Sequence, residues 1–252
     1  MNVNQVFETL NTLAPFHTQM GFDNAGILIG SACQKVTKVG VALDVTLDVL
    51  NQAIEQGVDC IVSHHPIIFS GLKAIPTESV VYRAIQHSIA VISAHTNLDA
   101  ARGGVNDCLA QQLGLCDIEP ICLPDESTPA MGRVGMLSVP MTADAFAKLV
   151  GEQLNTRAKY VSASRMIHKV VVCGGAGADF LEPAMLAKAD ALVTAEVKHH
   201  QFLMAAEADF MLVDAGHFET EQVVLRPLCD YLNRELSCPV TLLYQSSPTT
   251  YC

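Results

Sequence analysis

The sequence predicts an α/β protein made of two small α/β domains, and three observations carry that expectation. Short apolar, β-branched runs alternate with amphipathic stretches of helical period, a proline-rich segment divides the chain, and three of the apolar runs end in histidines and carboxylates. Open α/β sheets gather their chemistry at the carboxyl ends of strands, so the third observation also says where a site belongs.

The elements follow in order. Val39–Leu43 reads as a strand, and Thr46 is placed to cap an amphipathic helix that ends at Gly57. Cys60–Ser63 is the next strand, Val80–His87 a helix, Ala90–Ala94 a strand, and Val105–Leu113 a helix closed by Gly114. Nearly continuous apolar strands of this kind suit a parallel sheet covered on both faces. Cys116–Ala130 holds Pro120, Pro124 and Pro129 beside acidic residues and is expected to be an exposed connection. A second block predicts strand Val134–Val139, helix Thr142–Leu154 capped by Thr142, strand Lys169–Cys173, helix Phe180–Ala189, strand Ala191–Thr194 and helix His199–Ala208. The last strand, Phe210–Asp214, runs into a third cluster of candidate ligands. Separated ligands must converge to be useful, so the chain is expected to return there to its first domain. Residues 1–125 and 210–252 would then form a discontinuous metal-binding domain and residues 126–209 an insertion, with the site in the cleft between them.

Composition bounds the function. With 252 residues, 50% of them hydrophobic and 16% charged, the chain has ample material for buried cores. A net charge of −11 disfavours duplex nucleic acid and anionic membrane surfaces as partners. Nine cysteines, an odd number with no C-x-x-C pair, fit free thiols in a reducing compartment. The first residues lack a basic stretch followed by an apolar one, and no run of eighteen apolar residues occurs, so the expected location is cytoplasmic.

Three strand ends carry the candidate chemistry. His64 and His65 follow the first, His95 and Asp99 the second, and His217 and Glu221 the third. Adjacent residues point in different directions, so His64 and His65 suit two neighbouring ions better than one. His217 and Glu221, four apart, share a helix face, and Asp99 adds a second carboxylate able to bridge. Taken singly, the pair at 217 and 221 reads as a helix-start ion pair and Asp99 as a cap; recurrence at three strand ends favours metal. Imidazole and carboxylate donors match divalent Zn, Mn, Fe or Ni, and two such ions roughly 3.5–4 Å apart acidify water and polarise a substrate oxygen, which makes hydrolysis the natural reaction class.

Other features are weaker. His217-Phe218-Glu219 lacks the P-C-x-x-C of zinc deaminases, and Gly174-Gly175-Ala176-Gly177 lacks the completing residues of a nucleotide loop and reads as a tight turn. Glu196, Lys198, His199 and His200 follow another strand; a polar helix start explains them, and the last three are carried as candidate substrate contacts.

Five ordered motifs make the chain resemble one family. They are Gly21-Phe22-Asp23-Asn24-Ala25-Gly26, Ser63-His64-His65-Pro66, Ala94-His95-Thr96-Asn97-Leu98-Asp99, Thr194-Ala195-Glu196-Val197-Lys198-His199-His200 and Gly216-His217-Phe218-Glu219-Thr220-Glu221. Over nearly its whole length the sequence is similar to the Nif-three-like dinuclear metal family, the GTP cyclohydrolase I type 2 homologues. The resemblance implies two metals bound by His64, His65, Asp99, His217 and Glu221, a ring-shaped homohexamer, and a metal-dependent hydrolase of a nucleotide-like substrate, by ring opening of GTP or phosphoester hydrolysis. In that scheme His95 is a proton-transfer group outside the ligand set, and Lys198, His199 or His200 contacts substrate. Phe22 stands where many members carry tryptophan, and the domain inserted in longer members is absent. The alternative is a non-catalytic metal-binding or partner-interaction protein, since bound metal does not establish turnover.

Overall fold

The computed structural model describes residues 1–122 and 130–250. The chain begins with α1 (Val3–Leu13), β1 (Gly26–Ile29), β2 (Val39–Ala42), α2 (Leu47–Glu55), β3 (Cys60–Ser63), α3 (Val80–Gln86), β4 (Ala90–Ser93) and α4 (Thr96–Ala100). It continues with α5 (Val105–Gln112), β5 (Leu115–Ile121), β6 (Gly132–Met141), α6 (Ala143–Leu154), β7 (Lys159–Val161) and β8 (Ile167–Val172). Next come α7 (Leu181–Leu186), β9 (Ala191–Thr194), α8 (His199–Glu207), β10 (Met211–Asp214) and α9 (His217–Glu221), and finally α10 (Leu225–Glu235) and β11 (Val240–Leu242). Two compact units result: Met1–Arg102 with Leu225–Ser246, and Gly103–Val224 with Ser247–Cys252.

The first unit holds a five-stranded sheet in the order β1-β4-β3-β2-β11. The four strands from β4 to β11 are parallel, and β1 joins β4 antiparallel. Every residue of β2, β3 and β4 is buried, which is why these strands read as apolar runs without alternation. Thr46 caps α2 through Val49 N–H at 3.2 Å, and Ser79 caps α3 through Tyr82 N–H at 3.2 Å. Val49, Leu50 and Ala53 of α2 and Val81 and Ala84 of α3 pack with Ile61 and Val91 in one core.

The second unit holds a six-stranded sheet in the order β5-β6-β8-β9-β10-β7. Its centre, β8-β9-β10, is parallel, and antiparallel strands flank it on both sides. Both sheets are therefore mixed. Thr142 caps α6 through Ala145 N–H at 3.3 Å, and Phe146 and Val150 of that helix join Leu109, Ile167, Val193 and Met211 in the core.

The chain enters the second unit at Gly103 and leaves it after Val224, so residues 103–122 and 210–224, assigned above to the first domain, fall with the second. Two reasons stand out. The proline-rich stretch carries an edge strand: among the described residues β5 pairs only with β6, and Pro120 sits where a missing N–H interrupts no inner ladder. The strand ending at Asp214 pairs with β9 and β7 and not with the first sheet, so its ligands come from the second unit. The expected boundary at 125 itself lies outside the described residues. The helix expected over Phe180–Ala189 is shorter, a 3-10 turn at Ala178–Phe180 leading into α7. No helix among the described residues is long and apolar enough to cross a membrane.

Candidate metal centre

In the first unit, parallel pairing brings the donors together. Ser63 and Ser93 are partners at the ends of β3 and β4, their hydroxyls 2.8 Å apart, so the residues that follow them emerge side by side. His64 and His65 leave β3 and His95 leaves β4. Their ring centroids lie 4.9 Å (His64 to His65), 5.3 Å (His64 to His95) and 5.7 Å (His65 to His95) apart, and one donor nitrogen of each lies within 4.8 Å of the others. The short helix α4 carries Asp99 round so that its Oδ1 stands 3.5 Å from His64 Nε2. Both are buried, His64 completely.

Each of these imidazoles is held by its other nitrogen. His64 Nδ1–H donates to Ala94 O at 3.0 Å, His65 Nδ1–H to Asp44 Oδ1 at 2.7 Å, and His95 Nδ1–H to Asp23 Oδ1 at 2.8 Å. A carbonyl or carboxylate oxygen can only accept, so in the neutral ring the proton sits on Nδ1 and the lone pair on Nε2, the tautomer a metal-ligating histidine needs. Asp44 is in place because it follows β2, the neighbour of β3, and His65 N–H reaches Leu43 O at 2.9 Å. Asp23 is in place because β1 runs antiparallel to β4 and so starts where β4 ends. Burial pushes the Asp23 carboxyl up, but hydrogen bonds from His95 and Thr96 and the His95 charge outweigh it and hold the group at about 2. Its second oxygen accepts from Thr96 N–H and from the Thr96 hydroxyl, which fixes the start of α4.

The second unit repeats the device. β8, β9 and β10 end together, and the loops beyond them carry Gly174-Gly175, Glu196 and His217 respectively. His217 Nδ1–H donates to Glu196 Oε1 at 2.7 Å, and His217 Nε2 stands 3.0 Å from Glu221 Oε2 one turn later on α9. Glu221 is buried. Gly175 has a φ of +61°, and a Cβ there would overlap Glu221 Oε1 and lie 3.3 Å from His217 Nε2. The glycine loop is thus the wall against which the carboxylate and the imidazole rest. It is tied to α9 by Gly175 N–H donating to Thr220 Oγ1 at 3.0 Å.

These residues fit a divalent ion. His64 Nε2 lies 3.5 Å from Asp99 Oδ1 and His217 Nε2 lies 3.0 Å from Glu221 Oε2, so each unit sets an imidazole nitrogen beside a carboxylate oxygen. Mixed nitrogen and oxygen donors of this kind suit first-row metals. Sequence reasoning named His64, His65, Asp99, His217 and Glu221 but missed Asp23, Asp44 and Glu196 as the groups that orient the rings. Each is a carboxylate just outside a strand end, but nothing local in the sequence pairs it with its histidine.

The candidate substrate contacts lie at the start of α8. Lys198, His199 and His200 are exposed, with Lys198 N–H donating to Gln201 Oε1 at 2.9 Å. His200 borders a cavity of about 280 Å³ with Asp179, Glu182, Gln201 and Met204.

A model of the family Duf34/NIF3 (NGG1p interacting factor 3) matches residues 1–248. The chain belongs to the Duf34/NIF3 family. It is 30% identical over 254 residues to a Clostridium perfringens protein called GTP cyclohydrolase 1 type 2 homolog, a match covering 96% of this chain and 95% of that one. The crystal structure of a Staphylococcus aureus protein superposes with a TM-score of 0.90 at 28% identity, over 100% of this chain and 99% of the other. A Bacillus cereus protein related to NIF3 superposes with a TM-score of 0.91 at 24% identity over the same shares, a likeness of fold. The two mixed α/β sheets are thus the Duf34/NIF3 architecture.

Proposed function

We propose that this Duf34/NIF3 chain is a dinuclear metal-dependent hydrolase of a nucleotide-like substrate. In this reading His64, His65, Asp99, His217 and Glu221 would hold the ions, the two carboxylates would supply the negative charge, and the ring-shaped hexamer implied by the resemblance would be the working assembly. The observation that carries the metal part is the pinning of Nδ1 in His64, His65 and His217, each of which has that nitrogen on an oxygen acceptor and presents Nε2. The nucleotide part follows from relatives called GTP cyclohydrolase 1 type 2 homologs.

When bound, two divalent ions supply Lewis acidity that polarises a substrate oxygen and acidifies water. The chain's own residues do the rest. Ala94 O, Asp44 and Glu196 fix the tautomers of His64, His65 and His217, which raises the basicity of the donor nitrogens. His95, held by Asp23 at Nδ1, would accept or return a proton at Nε2. Lys198, His199 and His200 receive the charged part of the substrate.

The test measures bound metal, thermal midpoint and turnover of GTP and of nucleotide phosphoesters on the same preparations. His64→Ala and His217→Ala should lose metal and activity together. His95→Ala should keep near-native metal and lose about 10–100-fold in rate. Equal loss of metal in all three variants would make His95 a ligand. Fully metal-loaded protein that turns over no nucleotide would contradict the hydrolase reading.

A further inference from the structure

An aromatic corner adjoins the first histidine cluster. Phe22 and Phe69 are 65% and 49% exposed, and aromatic faces left this open in water are suited to a partner ring. Their centroids lie 6.4 Å apart with the planes tilted by 55°, so the two rings form adjoining walls and not a closed stack. Phe69 also stands edge-on to His95, with 6.1 Å between centroids and an interplanar angle of 86°. A flat molecule lying in this corner would touch the histidine cluster.

The backbone that carries both rings is tied to the network that orients His95. Phe22 precedes Asp23, whose carboxylate takes His95 Nδ1–H at 2.8 Å and Thr96 N–H at 3.0 Å. Asn24 Nδ2 donates to Ile68 O at 2.6 Å, which ties the loop of Phe22 to the residue just before Phe69. Ala25 N–H is held by Gln19 Oε1 at 2.9 Å on the far side of the same loop. The corner is therefore preorganised, and a site of this kind spends little ordering entropy on binding.

We propose that Phe22 and Phe69 form a stacking subsite that receives the flat heteroaromatic base of the substrate and sets it against the histidine cluster. This rests on the nucleotide-like reading above and deepens it by assigning the base to two named rings. Every base offers a π-face, so the corner selects for a flat ring and against base-free phosphates and sugars, and it does not choose among bases.

The experiment uses metal-loaded full-length protein. The chain has no tryptophan, so the fluorescence of 2-aminopurine riboside triphosphate reports binding without that background. Wild type, Phe22→Leu, Phe69→Leu and Phe69→Tyr are titrated with this probe, with GTP as competitor, and by calorimetry with ribose 5-phosphate. Leucine keeps apolar bulk and removes the π-face; tyrosine keeps the face. Each leucine variant should bind the probe and GTP about ten-fold or more weakly, Phe69→Tyr should bind as wild type, and ribose 5-phosphate affinity should be the same throughout. The proposal falls if both leucine variants hold the probe as tightly as wild type, if ribose 5-phosphate binding drops in parallel, or if wild type does not quench the probe at all. It falls likewise if the leucine variants change sedimentation mass with probe affinity unchanged, because a second copy of the chain then covers the corner. Turnover of a base-free phosphoester, run on the same samples, keeps the outcomes apart: activity there without probe binding overturns the stacking subsite and leaves metal-dependent hydrolysis standing.

Discussion

Gly175→Ala should strip metal from the protein while leaving the fold standing, and its two costs can be separated. The backbone cost comes from a φ of +61°, where a Cβ costs about 1–2 kcal/mol. The steric cost falls on the donors, because the new Cβ overlaps Glu221 Oε1 and lies 3.3 Å from His217 Nε2. Restoring contact distance moves the carboxylate by about 1 Å, well beyond the roughly 0.2 Å tolerance of metal–ligand distances. A loss of about 10–100-fold in zinc affinity follows, on the scale of removing a group that positions a ligand. Gly114→Ala is the control: its φ is +73°, nothing lies within 4 Å of its Cβ, and it belongs to the same unit. Competition with a chromophoric chelator gives zinc affinity, and a thermal melt gives stability. Both variants should lose similar stability and only Gly175→Ala should lose zinc. Native zinc affinity in Gly175→Ala, or equal loss in Gly114→Ala, would refute the argument.

Arg133 is buried with its Nε–H on Asp107 Oδ1, so Asp107→Asn should cost about 3 kcal/mol in urea unfolding, and a change under about 0.5 kcal/mol would show that the pair contributes little. Burial pushes the Asp59 carboxyl up, but Thr37 N–H, the Thr37 hydroxyl and Lys38 N–H together outweigh it and hold the group below its ordinary 3.8. A depressed carboxyl stabilises the fold above its unfolded pKa and loses that contribution as pH falls through the folded one. Wild type should therefore lose stability relative to Asp59→Asn as the pH falls through and below the ordinary carboxylate range, and urea midpoints for the two that fall in parallel would contradict this.

Much of the candidate site was legible because strand ends and candidate ligands leave the same trace. A fully buried parallel strand reads as an unbroken apolar run, and its end is where polar residues resume, so β3, β4 and β10 announced His64, His95 and His217 together. Thr46 and Thr142 were legible because an N-cap is a local bond to a residue three places on. The groups behind the histidines were not, because Asp44 to His65 and Asp23 to His95 are contacts between neighbouring strand ends 21 and 72 residues apart in sequence. Local periodicity carries no such pairing. Strand β1 was missed for a related reason: it is four residues long, only partly buried for three of them, and pairs antiparallel with a strand far along the chain. Pro120 misled because proline marks both loops and edge strands, and only pairing with β6 distinguishes them.

Elemental analysis tests the central claim most directly. Protein prepared without chelator, or reconstituted with zinc or manganese and freed of excess, should hold close to two ions per chain, and Asp99→Asn should hold about one, because an amide loses the charge with which the carboxylate bridges. A folded, monodisperse protein that cannot be loaded beyond one ion per chain, or an Asp99→Asn variant that still holds two, would contradict the dinuclear site.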